Sequence, residues 1–293
     1  MVICLNEAHG DNWAAYHGDC VEVMRQFPEA CIDFSIYSPP FADLFVYSDS
    51  IADMGNSAND GQFMEQYGFA IREVFRLTRN GRLSAVHCKD LPSFKWRHGA
   101  IGLRDFPGEI IRAHVDAGWI YHSRVTVWKD PVVEMQRTKA LGLLHKQIIK
   151  DSSMSRQGLP DYVLVFRKPG DNAEFIAHDR AAFPVEQWQE WASPVWMDIR
   201  QGEVLDKSSA RAAGDEKHIV PLQLDLIRRC LTLWSNPGDV VLSPFMGIGS
   251  EGHCAIMQSR RFIGTELKES YWRQASRHLT NVERQPDLFK GVA

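Results

Sequence analysis

The sequence predicts an α/β fold built on a doubly wound, mostly parallel sheet, and three observations carry that expectation. Short apolar runs alternate with amphipathic helical stretches along most of the 293 residues, the pattern of strands joined by helical crossovers. The run Cys31 to Tyr37 (CIDFSIY) is stopped by Ser38-Pro39-Pro40 and reads as a strand buried on both faces. Late in the chain a glycine-rich turn, Ser243 to Gly252, joins a strand to a helix.

Each element has its own signal. Gln62 to Leu77 places apolar residues at helical spacing and ends near Asn80-Gly81, a C-cap signature. Arg82 to Cys88 is the next strand, and Phe106 to Ala117 is a helix stopped by Gly118. Ile120 to Trp128 and Tyr162 to Arg167 are rich in β-branched and aromatic residues, as strands are. Pro221 is expected to open a helix that runs to about Trp234, proline being favoured in a first turn. Asp239 to Leu242, Gly249 to Gln258, Arg261 to Thr265 and Ser270 to Val282 then read as strand, helix, strand and helix.

Composition excludes several classes. Hydrophobic residues at 44% and charged residues at 24% rule out a disordered, collagen-like or coiled-coil chain. No window of eighteen apolar residues exists, so no membrane span is expected. The opening MVICLNEAHGDNW lacks a basic stretch before an apolar run and does not read as a signal peptide. The six cysteines form no C-x-x-C pair. Neither a disulfide framework nor a metal site is expected, and a cytoplasmic location fits.

Charge is uneven. The net charge is −4, yet Lys95 to Lys168 holds 13 basic and 7 acidic residues. That excess reads either as a solvated surface or as a phosphate-facing module, and within it the polar, basic stretch Lys129 to Asp161 is too long for a bare connection and reads as a functional insertion. The expected organisation is a catalytic domain from 1–128 and 162–283, interrupted by the insertion at 129–161. Residues 201–217 read as a flexible linker and 284–293 as a tail.

Two loops could carry chemistry. In Ser243-Pro244-Phe245-Met246-Gly247-Ile248-Gly249-Ser250, glycines let the backbone approach a ligand and the helix start offers free N–H groups. Glu266 lies at the end of the next strand, where a carboxylate can accept both hydroxyls of a ribose. In Ser38-Pro39-Pro40-Phe41, two prolines hold carbonyls rigidly at a strand's carboxyl end. Ser38 Oγ and the Pro39 carbonyl could accept both hydrogens of an amino group, and Phe41 offers a face for a planar ring. His87, His114, His122 and His145 have no metal-ligand spacing; they are expected to be structural or phosphate-facing. Trp188, Trp191 and Trp196 are expected to pack rather than to stack on bases.

These residues resemble the amino-directed DNA methyltransferases. Ser38-Pro39-Pro40-Phe41 resembles their catalytic motif, and Ser243 to Ser250 their S-adenosylmethionine loop, with Ser243 where the family usually has Asp. Lys217 to Leu222, including His218, resembles the motif that precedes the cofactor loop. Gly18-Asp19-Cys20 resembles the motif whose acid contacts the cofactor adenine. Gly264-Thr265-Glu266 with Tyr271 and Ala275 resembles the segment after the cofactor loop. The catalytic loop comes first and the cofactor loop last, the permuted order of the family's beta group.

The resemblance implies a methyltransferase-type fold with an inserted DNA-recognition segment. It implies S-adenosylmethionine as cofactor, held by Asp19, His218, Pro244, Phe245, Gly247, Gly249, Ser250 and Glu266. Double-stranded DNA is the implied partner, with Arg137, Lys139, Lys146, Lys150 and Arg156 as candidate contacts; a homodimer is left open. An exocyclic amine is a poor nucleophile because its lone pair is delocalised. Two acceptors, Ser38 and Pro39, would free that lone pair, while Phe41 stacks on the flipped base. The Ser38 hydroxyl is a weaker acceptor than a carboxylate, and the proton would leave to water after methyl transfer. Adenine N6 is favoured, because Tyr47-Ser48-Asp49-Ser50 after the loop resembles stand-alone adenine enzymes. Serine in the first position points the other way, to cytosine N4. A nicotinamide-dependent dehydrogenase is a remoter alternative that would leave Ser38 to Phe41 without a role.

Overall fold

The computed structural model describes residues 4–40, 60–93, 95, 99–138, 140–206 and 221–285. A hairpin, β1 (Asn6–His9) and β2 (Trp13–His17), opens the chain. A short helix α1 (Cys20–Met24) follows, capped by Asp19, whose carboxylate accepts the Glu22 N–H at 3.0 Å. The first crossover is β3 (Ile32–Tyr37), α2 (Asp60–Leu77) and β4 (Thr78–Cys88). A small ribbon, β5 (Leu91–Ser93) and β6 (Gly102–Arg104), precedes α3 (Phe106–Asp116) and β7 (Ile120–Val127). The insertion carries α4 (Pro131–Thr138) and α5 (His145–Lys150), and β8 (Asp161–Arg167) leads out of it. Then come α6 (Val185–Trp191), the two-residue β9 (Val195–Trp196) and α7 (Leu224–Trp234). The last crossover is β10 (Val240–Ser243), α8 (Ser250–Met257) and β11 (Arg261–Glu266), closed by α9 (Glu269–Arg284).

The main sheet has nine strands in the order β1-β2-β11-β10-β3-β4-β8-β7-β9. From β2 to β4 every pairing is parallel. Antiparallel pairings are confined to the flanks, at β1–β2, β4–β8 and β8–β7. Alternation along the strands divides the core into two layers. Phe34, Ala85, Val165 and Val241 face one layer with α7, α8 and α9. Leu164, Phe166, Val86 and Leu242 face the other with α1, α2 and α3. All six residues of β3 are buried, as a central strand covered on both sides requires.

The two crossovers leave β3 and β10 in opposite directions. Strand β3 passes by α2 to β4, and β10 passes by α8 to β11, yet β3 and β10 are hydrogen-bonded neighbours. The sheet therefore has its topological switch point between them, where ligands of open α/β sheets bind. A buried clamp holds this pair together near the opposite end of the strands. Arg82, 1% exposed, donates to Asp239 at 3.2 Å and lies 3.5 Å from Asp33, and Asp33 accepts the Val240 N–H at 2.8 Å.

Several expectations need correction. Pro221 does not open a helix; α7 starts at Leu224, after Gln223. The described first part of the expected linker, 201–206, is packed. Glu203 pairs with Arg228, its carbonyl accepts the Leu224 N–H at 2.9 Å, and Leu205 packs on the core. The stretch 207–220 lies outside the described residues, as does 286–293 of the expected tail, while α9 extends to Arg284. Trp196 is core at 1% exposure, whereas Trp188 is 54% exposed and does not pack as expected. No described helix is long and apolar enough to cross a membrane.

Candidate active site

The expected ligand loops meet at the switch point. Ser38 follows the last residue of β3, and Pro244 and Phe245 follow the last residue of β10. The Phe245 ring lies 5.8 Å from that of Tyr37 and 6.3 Å from that of Tyr67. Pro39 is buried, while Ser38 and Pro40 are half-buried. Phe41 lies outside the described residues, as do His218 and Tyr47 to Ser50.

The second loop is held by its neighbours. Met246 N–H donates to the Thr265 carbonyl at 3.0 Å, and Thr265 Oγ1 donates to the Pro244 carbonyl at 2.6 Å. Gly247 has a φ of +52° and Gly249, the N-cap of α8, a φ of +88°; both sit in the left-handed region, where a side chain is strained. Nothing stands within 4 Å of the position a Gly247 Cβ would occupy, so the backbone is open to a ligand there. Its N–H donates to Glu266 Oε2 at 3.0 Å, and Glu266 Oε1 accepts the Lys268 N–H at 2.8 Å. Two backbone donors thus orient the Glu266 carboxylate.

Asp19 joins the same group. The carbonyl of Glu266 accepts the Gly18 N–H at 3.0 Å, because β2 and β11 are parallel neighbours that end together at His17 and Glu266. Ser243 Oγ and Ser250 Oγ are buried without a hydrogen-bond partner among the described residues. The open Gly247 backbone and the Glu266 carboxylate thus lie at the carboxyl ends of β10 and β11, with the buried Ser243 and Ser250 hydroxyls beside them in the chain. Glu251 is fully buried. Burial, reinforced by the nearby Glu266, pushes its carboxyl up to about 8.

The structure adds one residue to this group that the sequence does not single out. His87 is expected to be structural or phosphate-facing, but its Nδ1 lies 2.7 Å from Ser38 Oγ. Its Nε2 lies 2.9 Å from Asp161 Oδ2, and Lys129 pairs with the same carboxylate oxygen. Burial opposes ionisation of Asp161, but His87 and Lys129 together hold its carboxyl well below the ordinary range. The four residues meet because β3, β4, β8 and β7 are consecutive in the sheet and Asp161 starts an antiparallel strand. His114 does match its structural expectation. It stacks on Phe166 at 3.9 Å and is buried, and burial holds it down to about 3.

In the insertion, Lys146 and Lys150 are exposed and four apart on α5. Arg156 is turned inward, with its guanidinium on Glu134 at 3.3 Å and on the Gln157 carbonyl at 2.8 Å. Arg137 lies in α4, and Lys139 lies outside the described residues.

Comparison with known proteins bears on this geometry. A family model described as DNA methylase, of the N6/N4 type, matches residues 32–277. The DNA adenine methyltransferase YhdJ of Escherichia coli (strain K12) is 31% identical over 159 residues, 52% of this chain and 50% of YhdJ. The chain thus aligns with only about half of that relative's length. YubD of the same organism is 32% identical over 268 residues, 91% of this chain and 90% of YubD. Among solved structures, TTHA0409 of Thermus thermophilus, complexed with S-adenosyl-L-methionine, superposes with a TM-score of 0.70. It is 21% identical, over 94% of this chain and 95% of its own, a likeness of fold. The family match spans both loops, their order and the strands that present them, and the chain belongs to the DNA methylase family of the N6/N4 type, on the α/β methyltransferase fold.

Proposed function

We propose that the protein methylates the exocyclic amine of a base flipped out of double-stranded DNA, with S-adenosylmethionine as methyl donor and adenine N6 as the target. The observation that carries this reading is the meeting of Ser38-Pro39 with the Phe245 to Gly249 loop at the switch point between β3 and β10. The donor supplies a methyl group activated by its sulfonium. Glu266 and Asp19 would take hydrogen bonds from its nucleoside. Ser38 Oγ and the Pro39 carbonyl hold the amine hydrogens, so that the nitrogen lone pair points at the methyl group. Lys146 and Lys150 would meet phosphates.

Serine at position 38 favours a second reading, cytosine N4, because the same two acceptors fit either amine. A homodimer is the assembly to test by light scattering.

The test is transfer of label from methyl-labelled S-adenosylmethionine to duplex DNA, followed by digestion to nucleosides. N6-methyladenine is the expected product. N4-methylcytosine would select the second reading, and unlabelled DNA would overturn both.

A further inference from the structure

We infer that His87 positions Ser38 with its hydroxyl hydrogen turned into the protein and receives the proton that the methylated amine gives up. The inference rests on the proposed reaction and adds to it a residue and a proton route.

Asp161 sets the direction of the hydrogen bonds. Its carboxylate is ionised and can only accept, so the His87 Nε2 that lies 2.9 Å away carries a hydrogen. Lys129 already supplies a positive charge to that carboxylate, so His87 need contribute only a hydrogen bond to it. In the neutral ring a protonated Nε2 leaves Nδ1 bare. Nδ1 therefore accepts, and Ser38 Oγ at 2.7 Å donates to it. Both Oγ lone pairs then remain for the substrate. A serine oriented this way is a better acceptor of an amine hydrogen than a freely rotating hydroxyl, which answers the weakness of serine relative to a carboxylate at this position.

The same chain gives the proton a path. Once the nitrogen has gained a methyl group it is a cation that still bears two hydrogens. One N–H bond breaks as a new Ser38 Oγ–H bond forms, and the original hydroxyl proton passes to His87 Nδ1. The products are the neutral secondary amine, an intact serine and an imidazolium held by Asp161. Loss of that proton to solvent restores the site. His87 is 7% exposed, so the proton is first received inside the protein rather than by bulk water. The charged and titratable groups around it are Asp161 on β8 and Lys129 after β7, with Asp90, Asp105 and Arg124 around the neighbouring Cys88 thiol. None of them is an alternative partner for Ser38 among the described hydrogen bonds.

Two variants and one spectrum test this. The first readout needs neither DNA nor cofactor. In ¹⁵N-histidine-labelled protein at neutral pH, His87 should show a protonated Nε2 and a bare Nδ1. Asp161→Asn should invert that tautomer, because an amide can donate to Nε2 where a carboxylate cannot. The second readout is single-turnover methyl transfer as a function of pH. The wild-type rate should fall on the acid side as Nδ1 becomes protonated. His87→Asn keeps an acceptor near Ser38 but cannot take the proton; it should be slower by about 10²-fold and lose the acid limb. Asp161→Asn should slow transfer by a similar factor while its thermal unfolding remains cooperative. A protonated Nδ1 in the wild type, or a His87→Asn enzyme with the wild-type rate and pH profile, would overturn the inference while leaving the methyltransferase reading intact. Absence of methyl transfer by the wild type would overturn both.

Discussion

Lys129 and Asp161, the residues at the two ends of the basic insertion, are ion-paired with one another. The insertion is therefore a closed excursion whose ends meet beside His87 and Ser38, rather than a loose connection between β7 and β8. It leaves and rejoins the sheet at the end where both ligand loops emerge. That places the exposed Lys146 and Lys150 of α5 on a module anchored to the chemistry.

If those lysines meet phosphates, the double variant Lys146→Glu/Lys150→Glu should weaken binding to all duplex sequences alike. The slope of log affinity against log salt should flatten by about 2, roughly 0.9 for each lost contact. Fluorescence anisotropy at several salt concentrations measures this. An unchanged affinity and slope would remove α5 from the DNA interface.

Glu266 is oriented by the Gly247 and Lys268 amides, and in the proposed reaction its carboxylate accepts two ribose hydroxyls of the cofactor. Glu266→Ala should weaken S-adenosylmethionine binding by about 1.5–3 kcal/mol, the range for hydrogen bonds to a charged group. Calorimetry on the folded variant measures it, and wild-type affinity would exclude the role.

Much of this site is legible in the sequence because its signals are local. A strand stopped by Ser38-Pro39-Pro40 and a strand-to-helix turn built on Gly247 and Gly249 each announce a rigid loop. The length and polarity of 129–161 mark a segment whose ends the Lys129–Asp161 pair closes. His87 has no comparable signal. It is one histidine in an apolar strand, and its meaning depends on Ser38 from β3 and Asp161 from β8, 49 and 74 positions away. The packed 201–206 segment looks like a linker for a similar reason, since Glu203 finds its partner Arg228 only in the folded chain. Strand β9, two residues long, is too short to carry a period.

Glu251 gives a pH-dependent expectation. Its folded carboxyl is raised to about 8 by burial, above its unfolded value, so the unfolded chain releases that proton first as pH rises. The stability this group contributes is complete below about pH 4.5 and is lost as pH climbs toward 8. Glu251→Gln keeps the neutral shape and removes the titration. It should raise the unfolding free energy at pH 8 by about 4 kcal/mol and leave it nearly unchanged at pH 4. Urea unfolding at the two pH values measures the difference; equal effects at both would show that Glu251 is ionised in the folded protein.

In the proposed reaction Ser38 and the Phe245 to Gly249 loop act as one methyl-transfer centre. The most direct test is single-turnover transfer of labelled methyl to duplex DNA by the wild type and by Ser38→Ala, each with S-adenosylmethionine and DNA affinities measured on the same preparation. Loss of an amine acceptor should slow the chemical step by about 10²-fold with both affinities kept. A Ser38→Ala protein that transfers methyl groups at the wild-type rate would reduce this loop to a turn and contradict the account.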